Sequence, residues 1–373
     1  MNKLWNTSTT STAFLTALVA AIIGGLLFSF IGTPVPWLLG PIAATMVTSR
    51  FKKVQLRWSP LVRNTGMMII GYSFGLALTK EALIEIVEKL PSMLGLTIVL
   101  ILFCAGIAYL VSKLTGVDYP TTLTGSIPGG LSQMILFAEE VKGIDVTTVS
   151  FLQVSRLLMI VFTVPFIMLI GPFAGPSSAN VVVTEAHLSG PIFPNGLIYV
   201  VICLLMAFIG KKIHAPTPFL LGPIVGTALL NLTSFHAPYL PTSLLDVSQL
   251  MVGGYIGLML KPEGLKSKTK VISVALISGL CMILGSLAIS LLLIDQYGVS
   301  ISTSFLSLAP GGMDQMGILA HEANADVSMV TGYQIFRLLF IFFVVPPLLR
   351  LIFRRAKRQE FKEQKAESNT QNL

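Results

Sequence analysis

Apolar runs of about twenty residues, parted by short polar or basic joints, recur along the whole chain. They predict membrane spans at roughly 13–31, 36–49, 61–79, 91–112 and 147–170, and again at roughly 191–210, 217–233, 245–260, 271–294 and 327–350. The first run, Ala13 to Ile31, is long for the apolar core of a signal peptide. It follows a single early lysine and leads straight into another apolar segment, so it reads as a span. Two stretches interrupt the pattern. Pro128-Gly129-Gly130-Leu131-Ser132-Gln133-Met134 and Pro310-Gly311-Gly312-Met313-Asp314-Gln315-Met316 lie 182 residues apart within apolar surroundings. Proline removes a backbone donor and paired glycines loosen the chain, so neither stretch belongs in an uninterrupted helix. Broken backbone at membrane depth is tolerated where it is buried in protein or lines a wet cavity. Both stretches therefore predict re-entrant loops, near 119–140 and 301–322.

The same offset runs through the chain. Pro34 to Ile42 returns as Pro216 to Ile224 with seven of nine positions identical, and Gly71, Gly75 and Glu81 return as Gly253, Gly257 and Glu263. After a slip of one residue, Asp145, Gln153, Arg156 and Pro165 match Asp326, Gln334, Arg337 and Pro346. Matched blocks in one order indicate an internal duplication. The expected organisation is a first membrane repeat at 13–170, a second at 191–350 and a basic, polar cytoplasmic tail at 351–373, left unstructured after Lys365. Pro34, Pro36, Gly40 and Pro41, with Pro216, Pro218, Gly222 and Pro223, suggest a kinked or split second helix in each repeat.

Charge sets the direction. Hydrophobic residues make up 53% of the chain and charged residues 11%, and the mean hydropathy is +0.81. The net charge of +8 is carried by basic runs at the joints, the distribution of the positive-inside rule rather than of a nucleic-acid surface. With the N-terminus inside, Arg50 to Arg63, Lys211-Lys212, Lys261 to Lys270 and Arg350 to Lys365 all fall in the cytoplasm, and Lys80 and Lys89 fall outside among glutamates. Two complete crossings at the Pro-Gly-Gly stretches would move many of these lysines outside. The expected fold is an all-α integral membrane protein of two inverted repeats, five transmembrane helices each, with one re-entrant Pro-Gly-Gly loop per repeat. Secondary transporters share this architecture and bind substrate between the halves. The implied location is the bacterial cytoplasmic (inner) membrane, with both termini cytoplasmic.

Arg156 and Arg337 are the costliest residues to insert, at roughly 2.5–3.5 kcal/mol each near the middle of a span. Gln153 and Gln334 precede them by one turn on the same face. Two readings stay open: cationic donors for an anionic substrate, or structural ion pairs with Glu139, Glu140, Glu322 or Asp326. The loop residues Ser126, Gly129, Gly130, Ser132, Gln133, Gly311, Gly312, Asp314 and Gln315 complete the candidate substrate site. Glycine pairs opening onto a helix N-terminus aim amide donors at an anion, or else only permit close packing. Asp314 could hold a proton or a cation where the first loop has Ser132. No cofactor is implied beyond H⁺ or Na⁺ as coupling ion. The expected partners are membrane lipid and a small-molecule substrate, with no nucleic acid, and a homodimer is compatible with the sequence.

Other chemistry finds little footing. Cys104, Cys203 and Cys281 sit in separate apolar runs, without the spacing of a disulfide or zinc site. His187, His214, His236 and His321 are scattered, and only His321-Glu322 beside Asp326 forms a cluster. There is no phosphate-binding loop, dinucleotide fingerprint or nucleophile elbow. An enzyme is not expected.

The duplicated Pro-x-Pro-[Trp/Phe]-Leu-Leu-Gly-Pro-Ile, Pro-Gly-Gly-x-x-Gln-Met and Gln-x-x-Arg-Leu-Leu motifs resemble those of the AbrB-type membrane proteins, over about residues 13 to 352. These differ from the small DNA-binding AbrB. The resemblance implies the duplicated membrane fold and brings two labels, regulator of gene expression and ammonia monooxygenase. The monooxygenase label asks for a cluster of histidine or carboxylate ligands that four scattered histidines do not supply. The regulator label implies a membrane-embedded sensor acting through a cytoplasmic partner, as an alternative to transport.

Overall fold

The computed structural model describes residues 7–51, 56–141, 143–168, 195–233, 237–238, 240–259 and 268–370. Among these, every extended element is a helix. The first half contains α1 (Thr7–Ile31), α2 (Pro36–Thr48), α3 (Pro60–Ala77), α4 (Lys80–Glu88), α5 (Leu90–Thr115), α6 (Tyr119–Ser126), α7 (Leu131–Glu140) and α8 (Val146–Met168). The second contains α9 (Leu197–Lys212), α10 (Pro218–Asn231), α11 (Thr242–Gly257), α12 (Lys268–Tyr297), α13 (Ile301–Leu308), α14 (Met313–Glu322) and α15 (Val327–Thr370). Five helical stretches are long and apolar enough to cross a membrane: Ser11–Ile31, Leu90–Thr115, Val146–Met168, Val271–Tyr297 and Val327–Phe353. A sixth results if α3 and α4, bent by 83° at their junction, count as one. The other expected spans are helices of 13 to 18 residues, at α2, α3, α9, α10 and α11.

Three local expectations change. The joint carrying Lys80 and Lys89 contains the helix α4, capped by Thr79, whose Oγ1 accepts from the Ala82 N–H at 3.3 Å. Helices α2 and α10 run unbroken through Pro41 and Pro223, with Pro36 and Pro218 in their first turns, where a missing N–H costs nothing. The tail is helical to Thr370 as part of α15.

The duplication is visible in the capping. Gly116 and Gly298, at φ 70° and 63°, stop α5 and α12 at equivalent positions. The Asp118 carboxylate and the Ser300 hydroxyl then cap α6 and α13, accepting from the N–H of Thr121 at 2.9 Å and of Thr303 at 3.1 Å. Those two threonine hydroxyls in turn accept from the N–H of Asp145 and of Asp326, each at 3.0 Å. Each short helix is thereby tied to the start of the long helix two elements on.

Packing between the halves is reciprocal. A side chain at Gly71 of α3 would lie 2.6 Å from the Leu220 carbonyl and 3.1 Å from Pro223 of α10. One at Gly253 of α11 would lie 2.7 Å from the Leu38 carbonyl and 3.4 Å from Pro41 of α2. Gly75 and Gly257 repeat this one turn on, against Ile224 and Ile42. Equivalent positions also meet each other: Gly66 against Ser248, and Phe103 against Gly285. One large apolar cluster joins both halves, from Leu38 and Phe74 through Ile160 to Phe305 and Met316.

Candidate functional site

Helix α6 ends at Ser126, four residues run to Gly130, and α7 starts at Leu131; α13, residues 309–312 and α14 repeat the pattern. Such a break leaves carbonyls without helical partners, and buried carbonyls require donors. Gln153 and Arg156 of α8 supply them in the first half. Gln153 Nε2 donates to the carbonyls of Thr124 at 2.9 Å and Ile127 at 3.0 Å. Arg156 Nη1 donates to Ser126 and Ile127, both at 3.0 Å, and Nη2 donates to Gln153 Oε1 at 2.6 Å. In the second half Gln334 Nε2 donates to Leu306 O at 2.7 Å. Arg337 Nη1 donates to Leu308 O at 3.1 Å and Ala309 O at 2.8 Å, and Nη2 to Gly311 O at 3.2 Å and to Gln334 Oε1.

This corrects the ion-pair reading. Glu140 pairs with Arg350, and the Asp326 carboxylate accepts from the Ser328 hydroxyl and the Met329 N–H at the start of α15. Glu139 and Glu322 are exposed. Among the described residues no carboxylate pairs with either arginine. Their counter-charge is the partial negative end of α6 and of α13. Arg156 and Arg337 are 7% and 4% exposed, and they stand within electrostatic reach of each other and of the buried Cys104. Arg156 Nε has no acceptor among the described residues.

The glycines act by allowing close approach. None of Gly129, Gly130, Gly311 and Gly312 has a positive φ. A Cβ at Gly129 would lie 2.9 Å from Met134 and 3.0 Å from Ile341, and one at Gly311 would lie 2.7 Å from Met316 and 3.0 Å from Ile160. Ile160 and Ile341 are repeat equivalents, so each tip lodges against the other half. Gly130 and Gly312 open α7 and α14.

The tips differ chemically. Gln133 Nε2 crosses to the Phe342 carbonyl at 2.8 Å, whereas Gln315 Nε2 turns to Asp314 Oδ2 at 2.7 Å. Asp314 is buried, and Arg63 is the cation within its electrostatic reach. The Oε1 atoms of both glutamines are buried without a donor among the described residues. Ser132 opens the first turn of α7, and its side chain lies outside the described residues. The arrangement thus offers unused donors at Arg156, unused acceptors at Gln133 and Gln315, and one buried carboxylate.

Among the described residues no three His, Cys, Asp or Glu side chains come together as metal ligands. His187 and His236 lie outside the described residues, and His321 is exposed at the end of α14.

Residues that the motifs did not flag also gather near the second break. Ser92 Oγ and the Tyr333 hydroxyl lie 2.6 Å apart, and Lys89 pairs with Glu85 while its Nζ sits 5.0 Å from the centre of the Tyr297 ring. A comparison of the two repeats position by position carries that signal, because Lys89 and Tyr333 have Val271 and Leu152 as counterparts.

A family model described as transition state regulatory protein AbrB matches residues 37–353. The chain belongs to this family. YhjN of Bacillus subtilis (strain 168), whose name states no function, is 26% identical over 353 residues, covering 88% of this chain and 90% of its own. A family member of Escherichia coli (strain K12), provisionally named regulator AbrB, is 24% identical over 335 residues, covering 89% of this chain and 94% of its own.

Proposed function

We propose that the chain is a secondary transporter for a small anionic or zwitterionic metabolite. In this reading the halves are inverted repeats, and α6–α7 and α13–α14 are re-entrant elements meeting near the midplane. The reciprocal contacts support it, since a surface that meets its own equivalent with the roles exchanged is what a two-fold relation produces. Five crossings per half would invert the second half, with the short helices α2, α9, α10 and α11 crossing beside their neighbours. H⁺ or Na⁺ would be the coupling ion, with Asp314 as the group to hold it.

One observation carries the choice of substrate. Two buried guanidinium groups at equivalent positions stand within electrostatic reach of each other, and among the described residues no carboxylate pairs with either. Main-chain carbonyls offset part of this charge, and a bound anion would offset the rest. Purified protein in liposomes, given a panel of labelled carboxylates and amino acids under inward H⁺ or Na⁺ gradients, tests the reading. At least one compound should accumulate well above the level in empty liposomes.

The name of the Escherichia coli relative favours a second reading, a membrane-embedded regulator. It requires a cytoplasmic partner retained by the full chain and lost on removing residues 351–373. Such a partner, with no accumulation across the panel, would overturn the transport proposal.

A further inference from the structure

The two breaks are sealed unequally. Alongside α13, Met93, Met329 and Tyr333 cluster with Leu308, Tyr297 packs against them, and Lys89 joins through the Tyr297 ring and Met329. Lys89 lies 7% exposed, with Nζ 3.6 Å from Met329 Sδ and over the Tyr297 ring, and Ser92 and Tyr333 share a hydroxyl hydrogen bond of 2.6 Å. The repeat offset carries Lys89 to Val271, Met93 to Ala275, Tyr297 to Thr115, Met329 to Thr148 and Tyr333 to Leu152. Every counterpart is smaller, and none is charged. There the same space is a cleft, lined by Thr115, Thr148, Leu152 and Val271 among others, with a cavity of about 10 Å³. That is room for about one water molecule. A clasp with a buried lysine and a hydroxyl pair stands at one break, beside an apolar pocket of about 360 Å³ that Met93 also lines, and an apolar cleft with none of these groups stands at the other.

We infer that the Lys89–Tyr297–Met329–Tyr333 clasp is a gate over the second-half break, and that the chain is held shut there while the first-half break is the readier to open. The inference rests on the transport reading for its purpose, not for its geometry. With the orientation set by the charge pattern, the clasp is on the outer side and the cleft is cytoplasmic. The clasp spans the halves, because Lys89 and Ser92 flank the start of α5 while Tyr297, Met329 and Tyr333 belong to α12 and α15. Outward opening therefore requires α15 to leave α5, breaking the hydroxyl bond and uncovering the lysine.

Matched single cysteines provide the test. Thr122 and Ser304 are repeat equivalents, 1% and 0% exposed, beneath the cleft and the clasp respectively. The native cysteines are replaced by their own counterparts, as Cys104→Ser, Cys203→Ala and Cys281→Val. Thr122→Cys should react with a membrane-impermeant maleimide from the cytoplasmic side about tenfold faster than Ser304→Cys reacts from outside. Lys89→Val with Tyr333→Leu, which copies the cleft onto the clasp, should raise Ser304→Cys labelling about tenfold. Tyr333→Phe, which keeps the ring and removes one hydrogen bond, should raise it severalfold. Equal labelling of the two cysteines in the intact protein would overturn the inference. So would an unchanged Ser304→Cys rate in both clasp variants. If Ser304→Cys labelling rises and Thr122→Cys labelling falls, gate and alternating access stand together. If Ser304→Cys rises alone, the gate stands and the coupled transport reading fails.

Discussion

Replacing Arg337 by methionine separates the capping role of the guanidinium from a purely ligand-binding one. Methionine has similar length and no donors. The variant leaves the carbonyls of Leu308, Ala309 and Gly311 without the three bonds that Arg337 makes to them, and it also loses the bond to Gln334. A charged donor contributes roughly 1.5–3 kcal/mol per bond, and the deserted carbonyls are buried. Against this, the variant no longer holds a charge at membrane depth, a relief of roughly 2.5–3.5 kcal/mol. The net expectation is a loss of roughly 2.5–9.5 kcal/mol. Arg156→Met should lose about one bond less, because Arg156 reaches two main-chain carbonyls where Arg337 reaches three. Reversible unfolding in mixed micelles, followed by circular dichroism, measures both. If Arg337→Met stays within about 1 kcal/mol of the parent, the carbonyls do not depend on the guanidinium and the capping role falls. If it ranks above Arg156→Met in stability, the difference in bonding is not what sets the loss.

Three further expectations follow from backbone geometry. Gly130→Ala should change stability by less than about 0.5 kcal/mol, since its nearest neighbours would be 3.9 Å away and its φ of −62° suits alanine. Gly311→Ala should cost about 1–3 kcal/mol, because the new methyl group would lie 2.7 Å from Met316 and 3.0 Å from Ile160; thermal melts of the pair check the contrast. Thr217→Gly should stabilise by about 1 kcal/mol, because Thr217 holds a φ of 41° and its buried hydroxyl has no partner among the described residues. An unchanged or lower melting temperature for Thr217→Gly would refute the strain at that site.

Much of the fold was legible because its signals are local. Proline and glycine mark where α6 and α13 stop, Gly116 and Gly298 mark where α5 and α12 stop, and the repeat offset pairs the halves. The role of the arginines was not legible. A charged side chain directs attention to opposite charges, whereas the acceptors here are carbonyls, which every residue carries and which become available only where a helix breaks. Helix α4 was hidden because its charges mark it as a joint. The left-handed backbone of Val35 and Thr217, at φ 48° and 41°, could not be read either, since β-branched residues avoid that region. The unequal ends were present in the sequence, but only as a difference between repeats, and a search for repeats looks for what is the same.

The crossed packing of α3 on α10 and of α2 on α11 also bears on how the protein is made. Glycines 71 and 75 are shaped for a helix that the ribosome delivers about 150 residues later. Until then α2 packs on α1 alone, where Gly24 lies against Gly40, and α3 lacks the surface its glycines fit; at 13 residues α2 is also too short to span by hydrophobicity alone. The packing of the first half is complete only when the second half arrives. A chain stopped at the middle would be a substrate for quality-control proteolysis rather than half of a working protein.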